Sequence, residues 1–432
     1  MKTKALLIYR IVLISLVNLI LILGFAYVYK TYYDKIPQTI VIETKKEQVL
    51  SYDLPVSGTI YLSNDEEDSV NATSQAIMEV DFNNDVTFIA SRPENYVLKT
   101  KLFGLIPLKS VDISVVDEVK IIPVGVPVGI YADTEGLLVV ETGEFKDSEG
   151  KDCEPSKDLL YPGDYILAIN DIPLDSKYDL VSYIDASEGK AQILTIERDS
   201  VIKEVEITPK ENEAGEYKLG IWIKDNAQGI GTLTYITQTG EFGALGHGII
   251  DLDIQTILRV DDGNLYPAEI LGIRKGEKGT PGEMSGVIFY GQEPLGDIEY
   301  NYETGIYGVY DLSKTEYLLD SMADNFSYSG MEIAYKNEIK TGKAQILCTI
   351  NEETKYFDIN IDKIYLDADN INKSMKITVT DEELLSLTGG IVQGMSGSPI
   401  IQDGKVVGAV THVLVNDPTR GYGIFIENML GH

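Results

Sequence analysis

The stretch from Ile11 to Tyr29 decides more about this chain than any other: nineteen residues without a charge, in which Ser15 and Asn18 are the clearly polar side chains. At a helical rise of ~1.5 Å per residue such a run spans about 28 Å, close to the hydrocarbon thickness of a bilayer. A helix buried in a protein core would carry polar residues along one face, and none are spaced that way here. A cleaved signal peptide has a shorter apolar region, ~7–15 residues, followed by a small-residue A-x-A site, and no such site precedes Tyr32-Tyr33. The run therefore reads as an uncleaved signal anchor. Lys2, Lys4 and Arg10 on its short side keep residues 1–10 in the cytoplasm and put residues 30–432 outside it. Tyr27, Tyr29, Tyr32 and Tyr33 suit the interfacial belt.

Beyond the anchor the chain is acidic, with a formal net charge of −32 over 432 residues. That excludes nucleic acid as a partner, because little could displace counterions from phosphate, and it disfavours close contact with anionic head groups. Cys153 and Cys348 stand 195 residues apart with no CxxC, which signals neither zinc nor a redox pair. No cofactor or metal is expected.

Residues 30–115 alternate short apolar segments with polar turns, as at Thr39–Ile42, Gly58–Leu62 and Val86–Ile89, and read as a juxtamembrane β-rich region. Asp81-x-Asn83-x-Asp85 has the opening of a calcium loop. Val86 stands where that loop needs glycine and Arg92 where it needs a bidentate glutamate, so it is a turn. Residues 116–210 carry Leu160-Tyr161-Pro162-Gly163-Asp164-Tyr165-Ile166-Leu167-Ala168-Ile169-Asn170, a helical stretch from Lys177 to Ala186, and a strand at Ala191–Glu197. This unit resembles a PDZ domain, a fold that adds a peptide strand to a sheet edge beside a helix and captures its carboxylate on backbone amides. Val128, Gly129 and Ile130 stand where the carboxylate loop is expected, without the usual GLGF spelling. From residue 211 to 432 strands dominate, with Gly and Asp-Gly turns between them, as in a barrel or sandwich.

Chemistry enters at Gly394-Met395-Ser396-Gly397-Ser398-Pro399. Glycines on both sides of a serine, closed by proline, make a tight bend that exposes a hydroxyl. The N–H groups of Gly394 and Ser396 can then converge into an oxyanion hole. Apolar Ile391-Val392 leads in, and Ile400-Ile401, a turn at Asp403-Gly404 and Val406–Val410 lead out, which reads as strand, hairpin, strand. A serine needs a base, and the chain has three histidines: His247, His412 and His432. His247 leads, because its flanks Gly246 and Gly248 leave the imidazole bare. His412, on the strand after the nucleophile, lines the substrate cleft. His432 is terminal. For the third member, Asp381 precedes Ser396 by fifteen residues, and Asp251 and Asp253 are rivals close to His247. No S-x-x-K surrounds Ser396, and the fifth residue of a G-x-S-x-G elbow would be Ser398, so neither a Ser-Lys dyad nor an α/β-hydrolase fits.

An N-terminal anchor, a PDZ-like unit, then Gly246-His247-Gly248-Ile249, GGIVQGMSGSPI over 389–400, V-G-A-V-T-H-V over 407–413 and N-D-P-T-x-G-Y-G over 416–423 resemble the stage IV sporulation protein B peptidase family. The resemblance implies a mainly β chain with a chymotrypsin-like double β-barrel after the PDZ unit, the site lying between the barrels. It implies Ser396 as nucleophile, His247 as base and Asp381 as the assigned aspartate. Met395 stands where the wider chymotrypsin pattern has the aspartate that receives the new N-terminus on zymogen activation, so activation cannot use that salt bridge. The resemblance further implies a signalling protease of endospore formation. It would be made in the forespore, sent into the space between the two membranes and released by cutting its own N-terminal region. It would then cut a membrane-bound regulator of an intramembrane metalloprotease, allowing a sigma factor to mature. Two other classes stand beside this one: a catalytically inactive, membrane-tethered PDZ adaptor, and an HtrA-type quality-control protease, whose usual order places the protease before the PDZ domain.

Overall fold

In the computed structural model, residues 2–50, 52–63, 76–322, 327, 329–367 and 370–431 are described; His432 lies outside them. Helix α1 covers Lys2–Tyr33, and its part from Tyr9 to Tyr33 is long and apolar enough to cross a membrane and has none of its residues buried.

The juxtamembrane region is a five-stranded sheet in the order Thr39–Glu43, Ile106–Val116, Asn95–Leu102, Val56–Leu62, Ala76–Asp81. The first pair is parallel and the rest antiparallel. Alternate residues such as Ile40, Ile42, Val56, Leu98 and Val111 face inward and form its core, as period-two patterning demands. It is tied to the rest of the chain by Lys109 Nζ to Asp367 at 2.9 Å and Lys46 Nζ to Glu332 at 2.9 Å.

The next strand, β1 (Lys120–Thr142), is 23 residues long and serves two units. Its end pairs with β2 (Tyr165–Ile169). Helix α2 (Lys177–Ala186), β3 (Gln192–Arg198) and β4 (Val201–Ile207) complete the PDZ-like unit, with sheet order β4-β3-β2-β1. Ser176 caps α2 by accepting from the Asp179 N–H, and Leu180 and Ile184, four apart, turn one face inward. The Pro162-Gly163-Asp164 turn is locked by buried Asp164, which takes a two-pronged contact from Arg198 at 2.7 and 2.6 Å.

The chain returns along β5 (Ile221–Ile236), which is one continuous strand antiparallel to β1 over nearly its whole length. Residues 221–224 of β5 pair with 138–142, and residues 226–236 pair with 122–133. A strand from the unit expected at 116–210 and a strand from the unit expected at 211–432 thus form a single hydrogen-bonded ribbon, whose far half belongs to the PDZ-like unit and whose near half belongs to a barrel. That barrel continues through β6 (Glu241–Ala244), β7 (Val260–Arg274), β9 (Gly296–Tyr302) and β10 (Gly305–Tyr310), with β8 (Gly282–Ile288) paired outside β7. The pairings β1-β5-β6-β10-β9-β7 return to β1 and close a ring around Val126, Val128, Leu233, Leu265 and Ile298.

After helix α3 (Thr315–Met322) comes a second closed barrel. Its strands are β11 (Gly342–Ile350), β12 (Glu353–Ile364), β13 (Met375–Val379), β14 (Pro399–Gln402), β15 (Lys405–Leu414) and β16 (Asp417–Phe425), in ring order β11-β12-β13-β16-β15-β14. Helix α4 (Glu382–Thr388) lies between β13 and the nucleophile turn. Asp403 and Gly404, at φ +52° and +79°, make the tight hairpin between β14 and β15. The chain is thus mainly β, with an apolar N-terminal helix, a PDZ-like unit and two six-stranded barrels.

Candidate active site

Ser396 sits in the segment between α4 and β14 of the second barrel, which on its way reaches β8 beside the first. Val392 and Gln393 pair parallel with Gly282 and Glu283 at the start of β8, and Pro399 begins β14. In the turn between, the Met395 N–H donates to the Val392 carbonyl at 3.1 Å, that of Ser398 to Met395 at 3.0 Å and that of Gly397 to Val410 at 2.8 Å. The N–H groups of Gly394 and Ser396 take no part in these three turn bonds. Met395 is fully buried in the second barrel's core, so an apolar anchor fixes the turn at the position before the serine. Gly397 has φ +97°, and a Cβ there would lie 2.3 Å from the Thr232 carbonyl oxygen. Only glycine lets β5 of the first barrel approach so closely. Thr232 Oγ1 then donates to the Gly394 carbonyl at 2.7 Å.

Ser396 is half-buried, and its hydroxyl donates to the Thr411 carbonyl at 2.7 Å. The neighbouring residue on β15 is His412, whose ring lies 5.2 Å from that of His247, centroid to centroid. The two imidazoles are thus packed together, and the Ser396 hydroxyl is bonded to the backbone of the residue before one of them. The hydroxyl of Ser398, by contrast, is buried without a hydrogen-bond partner.

His247 lies in the loop after β6. Its Nδ1 is 3.0 Å from the Gly248 carbonyl oxygen. A carbonyl can only accept, so Nδ1 carries the proton and Nε2 keeps its lone pair. Burial lowers the pKa of His247, with the Gly248 carbonyl opposing that shift. His412 is pushed down to about 4, first by desolvation, then by His247 and Lys373. Both imidazoles are neutral at pH 7. No carboxylate contributes to the shift of either ring.

The carboxylates singled out in the sequence are engaged elsewhere. Asp381 is the N-cap of α4: its Oδ1 accepts from the Leu384 N–H at 2.9 Å and its Oδ2 from the Asp358 N–H at 3.3 Å. Among the described residues no hydrogen bond joins it to His247. Asp251 and Asp253 both hold Lys224 at 2.6 Å, and Asp251 also takes the N–H groups of Asp253 and Ile254. They shape the loop beyond the base without reaching the ring. Among the described residues no group of three His, Cys, Asp or Glu side chains is arranged to hold a metal ion.

Val128, Gly129 and Ile130 need a correction. They are buried in the first barrel, paired with β5 on one side and β7 on the other, so neither edge is open to a peptide. The PDZ-like unit does have a cleft, of about 650 Å³, between α2 and the segment Leu219–Ile223. Tyr178, Val181 and Trp222 are exposed in it. Leu219-Gly220-Ile221 has the same apolar-Gly-apolar spelling as Val128-Gly129-Ile130, so the string alone does not choose between them; the helix that packs against the first of the two does.

The family description SpoIVB peptidase S55 matches residues 215–430. The PDZ domain of an SdrC-like protein from Listeria monocytogenes matches with 21% identity over 21% of this chain and 87% of that one, at a TM-score of 0.18. The inactive form of the protease Rv3671c matches with 16% identity over 47% of this chain and 81% of that one, at a TM-score of 0.24. Among curated proteins none matches the chain.

Proposed function

The chain belongs to the SpoIVB peptidase S55 family, and from that premise we propose that it is a membrane-anchored serine endopeptidase with Ser396 as nucleophile and His247 as general base. The observation that carries this is a half-buried serine hydroxyl on a glycine-flanked turn, bonded to the Thr411 carbonyl next to His412, whose ring packs on a His247 imidazole with its Nδ1 proton already committed to the Gly248 carbonyl. With substrate bound, the Ser396 hydroxyl turns from the Thr411 carbonyl toward Nε2 of His247. The imidazole takes its proton as Oγ attacks the scissile carbonyl carbon. The oxyanion is held by the N–H groups of Gly394 and Ser396. The C–N bond then breaks, His247 returns the proton to the leaving amine, and water repeats the sequence on the acyl-enzyme. His412 walls the cleft.

The substrates proposed are the chain's own N-terminal region and a membrane-bound regulatory protein. Cutting between α1 and the barrels would release the extracytoplasmic part, and the signalling role in sporulation rests on family resemblance. The cleft at Leu219–Ile223 is where a peptide from either source would add to the edge of β5.

The test is a fluorophosphonate probe on the full chain in detergent, with the adduct mapped by mass spectrometry. Wild type should be labelled on Ser396, and Ser396→Ala and His247→Ala should not be labelled. Labelling on Ser398, or proteolysis by Ser396→Ala, would sink the assignment. An unlabelled wild type that still binds peptide would favour the inactive adaptor.

A further inference from the structure

A serine protease base needs its second ring nitrogen held, and in the triad a carboxylate does this. At His247 the acceptor is instead the Gly248 carbonyl, so the question becomes what holds that carbonyl. It belongs to the same peptide unit as the Ile249 N–H, and that N–H donates to Asn301 Oδ1 at 2.8 Å. Asn301 lies at the end of β9, in the hairpin to β10. Its Nδ2 donates to the Ile249 carbonyl at 2.9 Å and to the Leu258 carbonyl at 2.8 Å. Two carbonyls on one side and an N–H on the other fix which way the amide points. All three bonds are used, and a carboxylate of the same shape could make only one of them. The hairpin also takes the Gly248 N–H on the Glu303 carbonyl at 3.2 Å. It comes so near that a Cβ on Gly248 would lie 2.5 Å from the Tyr302 carbonyl oxygen.

We infer that Asn301 is the positioning residue of the base: it orients the imidazole of His247 through the Gly248–Ile249 peptide, in the place of a directly bonded carboxylate. The chain of donors runs from His247 Nδ1–H to the Gly248 carbonyl, across the peptide plane, and from the Ile249 N–H to Asn301 Oδ1. Each bond polarises the next. The link is uncharged, which agrees with a base whose pKa burial can lower unopposed by any acid. The titratable ring packed against His247 is His412 on β15, on which Lys373 acts in turn. The inference rests on the reading of His247 as base. The two fail separately: if His247→Ala is labelled at the wild-type rate, the base reading falls, whereas a dead His247→Ala beside an unaffected Asn301→Ala removes only the present one.

The experiment uses the full chain in detergent and the acylation rate of Ser396 by a fluorophosphonate probe, followed across pH. Asn301→Ala should acylate on the order of 10²-fold more slowly, as misplacement of a catalytic group by about an ångström predicts. Asn301→Asp puts a negative charge at the end of the relay and should move the acid limb of the pH profile upward, by ~0.5 pH unit or more. A residue that merely holds the hairpin together would lower the melting temperature and leave that limb where it is. A measurement on the unmodified chain stands behind both variants. Its three histidines can be assigned by single substitutions, and histidine ¹⁵N shifts at neutral pH should report the Nδ1–H form for His247. An Nε2–H form overturns the inference, as does an Asn301→Ala rate within about threefold of wild type or an Asn301→Asp limb that does not move.

Discussion

The two halves of the site are held by different physics. The nucleophile's turn is fixed by packing: Met395 is sunk in the second barrel, and Gly397 is pressed against the Thr232 carbonyl so closely that no side chain fits. The base's loop is fixed by hydrogen bonds, several of them converging on one side chain, Asn301. The steric demand falls on the residue types at Met395 and Gly397 themselves, so a six-residue string can spell it. Hydrogen-bonded fixation draws on a partner fifty-two residues along the chain from Ile249 and leaves little trace in the residues around His247. The halves are then brought together by β5, β15 and the loop between β6 and β7.

The largest effect that can break this comparison is Ser396→Ala, expected to lose on the order of 10⁶ in kcat, as removal of the nucleophile does in serine proteases of this chemistry. Its partner Ser398→Ala should cut within about threefold of wild type and lose no stability, because it removes a buried hydroxyl that has no partner. A dead Ser398→Ala beside an active Ser396→Ala reverses the roles.

Next comes Gly397→Ala. A Cβ at φ +97° and 2.3 Å from the Thr232 oxygen should destabilise the fold on the order of 3 kcal/mol and take activity with it, read by denaturant titration and probe labelling. If Gly397→Ala is as stable as wild type, packing is not what holds the nucleophile side.

The pH profile sharpens the base side. Activity needs neutral His247, whose pKa burial holds below the ordinary 6.5, so the acid limb should have its midpoint under 6.5, and a midpoint at 7 or above would contradict it. His412 adds a stability term. Its pKa is about 4 in the folded chain against 6.5 ordinarily, so between those values the unfolded chain binds more protons. Stability must fall as pH drops from 6.5 toward 4. His412→Gln should flatten that part of the melting-temperature curve, and an unchanged curve would show the ring to be solvated.

Two smaller effects separate the halves further. Thr232→Val removes one hydrogen bond to the Gly394 carbonyl, worth about 1 kcal/mol; kcat should drop by about tenfold at most, with KM held. Asp381→Asn keeps the N-cap acceptor of α4 and should leave both stability and turnover within a few-fold of wild type. A loss near 10⁴-fold, as a triad Asp→Asn gives, would mean that α4 brings the carboxylate to the imidazole during catalysis.

The sequence by itself determined what depends on neighbours in the chain. An uncharged run must be a membrane-length helix, Asp403-Gly404 must be a hairpin, and GMSGSP must be a tight turn, because each follows from solvent, φ or sterics within a few residues; that its serine is half-buried was not legible there. It also bore the family through spellings at 246–249 and 389–423. Tertiary structure decided what depends on pairing. The segments around Trp222 and Thr234, read apart, join into one strand, β5, because β1 offers it partners along the whole length. For the same reason Val128–Ile130 went to the barrel while the apolar cleft formed at Leu219–Ile223, although the two strings look alike. Asp381 was assigned by family resemblance more than by its spacing from Ser396, and here the N–H groups of Leu384 and Asp358 bond both its oxygens. Asn301, in an unremarkable Tyr-Asn-Tyr, faces the peptide after His247 only because the β9–β10 hairpin folds back over it. A hydrogen bond is specified by where two groups finish in space, and a linear string records only where they begin.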